Sequence, residues 1–323
     1  MSSRVIRWAV VLAVLAFVAG AVMVAGVARA PQRAGAQTTP PTPGGQPPGA
    51  PLDHFVCYHV TASTNQGVPA GETIKESDEF TLNAANQVVP KAVHVLQPVK
   101  LCTPITKWHV FGNSLFIYPV VHPSLHLVCF KTTQVPATPQ FTVSTDNQFN
   151  NAGDKRILTT QFLSATSKQT MLSLCLPSHK ALTAANLGGE PLGDLNHFAC
   201  YKASETEPSG TTVPGLPAGV FVQDQFIQPP IPKVTVVAPT EVCNPATKYV
   251  TTSTGTQTFA PPNPDLHLVC FSIRSTVNPA TQVYVDDQFT QDPAAAAATL
   301  NLKGPAFQLC APSLKQIIQP PPG

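Results

Sequence analysis

The chain has little charge: only 11% of its 323 residues are Asp, Glu, Lys or Arg, and aromatic residues make up 7%. It contains no Gly-x-Ser-x-Gly, no His-Glu-x-x-His and no phosphate-cradling glycine loop, so no catalytic residue or cofactor site is signalled. A basic cluster is missing too. The net charge of +2 arises because Arg4, Arg7, Arg29 and Arg33 all precede residue 37, leaving 15 basic against 17 acidic side chains beyond it. That balance lacks the footprint of a nucleic-acid binder and excludes this partner class. Cysteine is absent before Cys57, which excludes a lipoprotein anchor, and Arg4 and Arg7 are not adjacent, which leaves twin-arginine export without support. Long apolar runs are scarce, the conspicuous one being Trp8 to Val27.

That run, with Arg4 and Arg7 ahead of it, makes residues 1–36 a targeting segment. Of the two small-x-small sites that follow, Ala28-Arg29-Ala30 is followed by Pro31, so Ala34-Gly35-Ala36 is the better cleavage site. The run is also long enough to span a bilayer. Two outcomes stay open, a cleaved signal peptide or a retained N-terminal anchor. In the second case the membrane is reached through residues 8–27 alone. Both predict a secreted or cell-surface protein. Residues 37–51, built from Gln, Thr, Pro, Gly and Ala, read as a semi-extended linker.

The chain does have 35 prolines and 8 cysteines, and the cysteines fall in a repeat. Four pentapeptides share the order His, apolar, small apolar, Cys, aromatic: 54–58, 126–130, 197–201 and 267–271. Each is followed by an acidic or amide pair and Phe, at 78–80, 147–149, 224–226 and 287–289. A second cysteine with Pro two residues later then appears at Cys102, Cys175, Cys243 and Cys310, and Lys107, Lys180, Lys248 and Lys315 follow. Recurrence of three landmarks in one order marks internal duplication. The units pair, giving β module 1 at 52–181 (units 52–107 and 125–180), a linker at 182–194, β module 2 at 195–316 (units 195–248 and 266–315) and a Pro-rich tail at 317–323. Alternation such as Val283, Val285, Asp287 predicts strands. The expected fold is all-β: two homologous sandwich or barrel-like modules, each of two disulfide-stapled units with three to four strands.

Eight cysteines in an exported chain read as four disulfides. Repeat symmetry favours Cys57–Cys102, Cys129–Cys175, Cys200–Cys243 and Cys270–Cys310; the rival pattern crosses between paired units, as in Cys57 with Cys129. His-x-x-Cys invites a zinc reading, but residues three apart on a strand face opposite ways, so no metal is assigned. The Asp of each Asp-Gln-Phe landmark is expected to cap a turn or contact a pentapeptide His. Asp286, Asp287 and Asp292 form the densest acidic cluster, without counterparts in the first two units to make it a calcium motif. The most suggestive unshared stretch is 107–118, a hairpin whose Trp108, Phe111, Phe116 and Tyr118 are the candidate binding surface.

With these landmarks the chain resembles an uncharacterised family of bacterial exported proteins. Their repeats run approximately Leu-Asp-His-Phe-x-Cys-Tyr-Lys, Val-x-Asp-Gln-Phe-Gly and Leu-Cys-x-Pro. The likeness covers most of residues 52–315 and is best at His197-Phe198-Ala199-Cys200-Tyr201-Lys202; His59, Ser272 and Asp78-Glu79-Phe80 depart from it. It implies a bacterial exported protein and brings no activity, cofactor or site residue. The sequence thus favours a non-catalytic binding or scaffolding module with an extracellular or envelope partner. An extracellular enzyme of unrecognised type and an exported inhibitor or effector are the alternatives.

Overall fold

The computed structural model describes residues 52–62, 72–83, 85–111, 114–135, 140–150, 155–161, 171–189, 191–206, 216, 220–227, 232–252, 255–276, 278–279, 281–289 and 297–319. The targeting segment and the 37–51 linker lie outside the described residues. Among those described, no helix is long and apolar enough to cross a membrane.

The protein is all-β. Its strands are β1 (His54–Ala62), β2 (Glu72–Ser77), β3 (Lys91–Phe111), β4 (Ser114–Tyr118), β5 (His126–Val135), β6 (Thr142–Asn147), β7 (Arg156–Thr160) and β8 (Met171–Ala181). They continue with β9 (Phe198–Glu205), β10 (Val220–Gln223), β11 (Lys233–Pro245), β12 (Thr247–Thr252), β13 (Gly255–Phe259), β14 (His267–Arg274), β15 (Gln282–Asp287) and β16 (Ala298–Gln319). The stretch 317–323 was expected to be a tail, but β16 runs on through Ile317, which pairs with Val143 of β6. The apolar Ile317 packs against the core there, so the strand outlasts the last repeat landmark.

Each unit gives two strands to one antiparallel ring. β1 pairs β3, β3 pairs β5, β5 pairs β8, β8 pairs β9, β9 pairs β11, β11 pairs β14 and β14 pairs β16. β16 returns to β1 and closes the circle. Closure removes the exposed edges that an open sheet would leave in the ring. The stretches 52–181 and 195–316 supply one half of the ring each and share both apolar clusters. Every pairing in the ring and all four disulfides lie within 52–319, so the chain beyond residue 36 carries the complete closed ring.

The disulfides join Cys57–Cys102, Cys129–Cys175, Cys200–Cys243 and Cys270–Cys310. Each links directly opposed residues on the two ring strands of one unit. The crossed alternative does not occur. Sulfurs of neighbouring bridges also approach one another: Cys57 and Cys310 at 3.8 Å, Cys175 and Cys200 at 3.6 Å, Cys243 and Cys270 at 4.0 Å. Side chains from successive strands converge on the concave side of a closed sheet and diverge on its convex side, so the sulfurs form a girdle around the barrel axis. Phe55, Leu127, Phe198 and Leu268 lie two residues before the first cysteines on the same inward face, with Leu52, Leu125, Leu192, Leu195 and Leu266 packed beside them. Burying those leucines and phenylalanines contributes roughly 2 kcal/mol apiece.

The prolines of the Cys-x-Pro landmark fit this register. Cys57 and Cys102 have Cα atoms 4.0 Å apart, the closer kind of antiparallel pair, so Pro104 two residues on has its backbone polar groups turned towards β5. The β3–β5 ladder has already ended at Cys102↔Leu127. The missing proline amide therefore removes no ladder bond.

On the outward face lie Val56, Tyr58, Val128, Phe130, Tyr201, Val269 and Phe271, in a second cluster with Phe80, Phe141 and Phe149. The arms that carry the Asp-Gln-Phe landmarks cover it. β2 pairs with β3 of its own unit and with β12; β10 pairs with β11 and with β3. β6 reaches β16, and β15 reaches β8, in the same manner. Each arm thus spans from its own unit to the one two places along.

Candidate functional site

The repeated landmarks assemble into four clasps. In every unit the Asp or Asn side chain accepts the amide of the Phe two residues later, at 2.7 Å for Asp78, 3.0 Å for Asn147, 2.8 Å for Asp224 and 2.8 Å for Asp287. This is an Asx turn, and it presents the next side chains outward from the arm. The Phe then meets the aromatic residue of the pentapeptide two units along: Phe80 with Tyr201, Phe149 with Phe271, Phe226 with Tyr58 and Phe289 with Phe130. Its ring face takes the recurring lysine of the preceding unit, with Nζ–centroid distances of 4.3 Å for Lys315 over Phe80, 4.3 Å for Lys107 over Phe149, 3.7 Å for Lys180 over Phe226 and 4.8 Å for Lys248 over Phe289. A desolvated ammonium over an aromatic face gains more than it would in water.

The pentapeptide histidines complete the clasp from the same preceding unit. The Gln225 amide meets His126 Nε2 at 2.7 Å, and His197 Nε2 donates to Gln288 Oε1 at 2.8 Å. Gln148 accepts the Lys107 ammonium at 2.6 Å and lies beside His54. In the fourth clasp Glu79 replaces the amide. It bridges Lys315 at 2.7 Å and His267 at 3.1 Å; burial pulls its carboxyl up, but the His267 hydrogen bond and the Lys315 charge hold it down at about 2. Burial first, and the neighbouring lysine second, lower His126 to about 3 and His197 to about 4. Burial likewise lowers Lys180 to about 7, with Asp224 opposing.

The turn-capping expectation for the Asp therefore holds, while contact with the histidine falls to the next residue, Gln or Glu. Nothing in the sequence tied an arm to units one and two places away, and the recurring Lys was visible without a role. His and Cys of each pentapeptide point to opposite faces as alternation requires. The acidic cluster resolves similarly: Asp287 caps its turn, Asp286 lies 3.9 Å from His179, and Asp292 falls outside the described residues. Cys200, Glu241 and Cys243 do converge, but both thiols are spent in one disulfide and Glu241 pairs with Lys100 at 2.6 Å. That set has no thiolate to offer a metal.

One arm breaks the pattern. Glu76 stands where the other arms carry Thr145, Val222 and Val285, two residues ahead of the capping Asp or Asn. It is fully buried, neither carboxylate oxygen has a hydrogen-bond partner, and its strand neighbours directly opposite are Lys91 and Lys248. Burial, then Asp78, push its carboxyl well above the usual range, with Lys91 opposing. Glu76→Val, the residue of two of the three equivalent arms, is expected to raise unfolding stability by about 2 kcal/mol, read as a higher urea midpoint. A lower midpoint would mean that the flanking lysines depend on this carboxylate.

The aromatic hairpin is β3–β4, and alternation divides its residues between two faces. Phe116 and Tyr118 turn inward and stack on His109, and Lys107 Nζ lies 4.5 Å from the Tyr118 ring centre. The Phe111 side chain lies outside the described residues. Trp108 faces the other way, directly opposite Ile117, with Val110 opposite Leu115. On that face Val110 (50%), Leu115 (57%) and Ile117 (55%) are solvent-exposed, and Trp108 is half-buried. On β10, Phe221 lies directly opposite Trp108 and extends the row, and Lys233 lies opposite Phe221. Of the aromatics read from the sequence as a candidate surface, Trp108 thus shares a face with exposed Val110, Leu115 and Ile117 and half-buried Phe221, while Phe116 and Tyr118 lie on the opposite face against His109.

The duplicated hairpin β12–β13 is an internal control. Lys248 opposes Phe259 as Lys107 opposes Tyr118, so the positions of Trp108, Val110, Leu115 and Ile117 are filled by Tyr249, Thr251, Thr256 and Thr258. The scaffold therefore does not require an apolar row there. Beside the β3–β4 hairpin lies a cleft of about 300 Å³ lined by Pro104, Thr106, Val120, Pro123, Gln223, Asp224 and Gln225. Its carboxylate is committed: Asp224 accepts from Tyr58 at 2.9 Å, Thr103 at 2.5 Å, and the amides of Phe226 and Ile227 at 2.8 and 2.9 Å. A group so saturated is poorly placed for acid–base work. No family model matches this chain, and neither the curated proteins nor the solved structures contain a match.

Proposed function

We propose that this chain is an exported, non-catalytic binding or scaffolding module of a bacterial cell surface or secreted space. The observation that carries the reading is the contrast between the two hairpins. Where the fold permits Thr251, Thr256 and Thr258, the first hairpin exposes Val110, Leu115 and Ile117 beside Trp108. Exposed apolar side chains gathered on one face, at a position with a polar alternative, mark an interaction surface. Four disulfides point to an oxidising compartment. The repeated His, Lys, Phe and Gln residues are consumed in holding arms to the barrel, which leaves the unshared surface to carry recognition.

The test is retention on the envelope. Cells producing the full chain are fractionated, free thiols are counted, and the wild type is compared with a variant whose first hairpin copies the second: Val110→Thr, Leu115→Thr and Ile117→Thr. The wild type is expected outside the cytoplasm, without free thiols and held by the envelope, with the variant released on washing. A reduced cytoplasmic protein would overturn the export reading. Equal retention of both proteins once residues 1–36 have been removed would overturn the role of the face.

A further inference from the structure

The geometry points to a lipid bilayer surface as the partner of the Trp108, Val110, Leu115, Ile117 and Phe221 face. This rests on the surface-module reading above and adds the identity of the partner.

The chemistry of the face selects that partner. The five side chains of the row bring a single hydrogen-bonding group, the Trp108 indole N–H; polar side chains join the face only at its base, where Thr106 and Gln223 stand opposite each other at the cleft. A protein interface of any specificity needs a polar rim with paired hydrogen bonds around its apolar centre. The headgroup boundary of a membrane asks for less: apolar side chains that enter shallowly, and an indole, which is favoured at that level. Charge agrees. Residues 106–124 contain no Asp or Glu, and the ionisable residue in line with the row is exposed Lys233. An anionic lipid surface would meet a face without carboxylates and with a cation at its margin.

The route of the chain supplies a second argument. The residues that open the fold are stitched to this hairpin. The Asp53 carboxylate accepts the amides of Val121 and His122 at 2.7 and 2.8 Å, and the His54 ring lies 5.3 Å from that of Tyr118. Everything before Leu52 must join the folded part at the base of β4. The 24 residues between Val27 and Leu52 span roughly 75 Å when extended, at about 3 Å per residue. A bilayer that receives the apolar run Trp8 to Val27 is therefore within reach of this face, whereas the polar β12–β13 hairpin has no such connection to the N-terminus. Two weak contacts with one surface reinforce each other through effective concentration.

The chain from residue 37 onward tests this, because it retains the closed ring and Trp108 becomes its sole tryptophan. It is mixed with vesicles of phosphatidylcholine and phosphatidylglycerol, and emission and flotation are followed. Expected results are a blue shift, quenching by lipids brominated along the acyl chain, and flotation that weakens with salt. The Val110→Thr, Leu115→Thr and Ile117→Thr variant, which keeps the reporter, should lose at least about tenfold in partitioning with an unchanged urea midpoint. A wild type that neither shifts nor floats, or a variant that floats equally well, overturns the inference. So does a concentration-dependent blue shift without vesicles together with a dimeric mass, which would assign the face to a second copy of the chain. If the envelope retains the wild type while vesicles do not, the binding-module reading stands and the lipid assignment fails.

Discussion

Replacing Cys129 and Cys175 together by Ala is expected to lower unfolding stability by about 4 kcal/mol, the loop-closure contribution of a bridge spanning this separation. The four separations, 45, 46, 43 and 40, differ too little for loop length to rank the bridges. Differences between the four double variants would therefore report the girdle itself. Removing one bridge takes two sulfurs from a packed ring in which Cys175 touches Cys200 of the next unit at 3.6 Å. A cavity there adds to the loss, because interiors relax only partly around deleted atoms. Urea unfolding of each double variant under oxidising conditions measures this. A loss below about 1 kcal/mol would show that the strand ladder holds the barrel without its bridges.

Acid should loosen the clasps. His126 and His197 are held neutral in the fold, at about 3 and about 4 against 6.5 in the unfolded chain. Above pH 6.5 neither state binds the proton and the histidines cost nothing. As pH falls, the unfolded chain takes up protons that the native clasp refuses, so stability drops until the folded values are reached. Each pKa unit corresponds to about 1.4 kcal/mol, giving roughly 5–7 kcal/mol for the two residues between pH 6.5 and 4. The groups facing His126 are Lys180, His179 and Gln225, and those facing His197 are Lys248 and Gln288; none is an acid that would soften the effect. A His126→Gln, His197→Gln double variant should flatten the pH dependence of urea-unfolding stability between pH 6 and 4.5. An unchanged slope would place the acid sensitivity elsewhere, and not in Asp78, whose carboxyl burial raises to about 6 so that acid favours the fold there.

The landmarks were legible because duplication wrote them four times, and strand alternation assigned the faces of His54 and Cys57 correctly. Repeat symmetry also selected the disulfides, since a bridge between directly opposed residues of one unit can recur in every copy. Periodicity says which way a side chain points but not which strand lies next to its own. Closure of β16 onto β1, and the β8–β9 pairing across the 182–194 stretch, were therefore hidden. That stretch reads as a linker by composition, yet its Leu192 joins the inward cluster. In the hairpin, aromatic content suggested Phe116 and Tyr118 for recognition. Packing on His109 claimed them, and the less conspicuous Val110, Leu115 and Ile117 were left to solvent.

The return of the last strand to the first also fixes how many copies such a chain can contain. An open stack of repeats can gain or lose a member at its end, since each contacts only its neighbours. Here the arm of every unit is gripped by the unit before it and covers the unit two places on. A three-copy descendant would leave arms without a host, and a five-copy one would widen the circle until sulfurs of neighbouring bridges no longer met. Duplication in this lineage is thus arithmetically terminal: once four copies close the circle, later change is channelled into the surface stretches that the copies do not share.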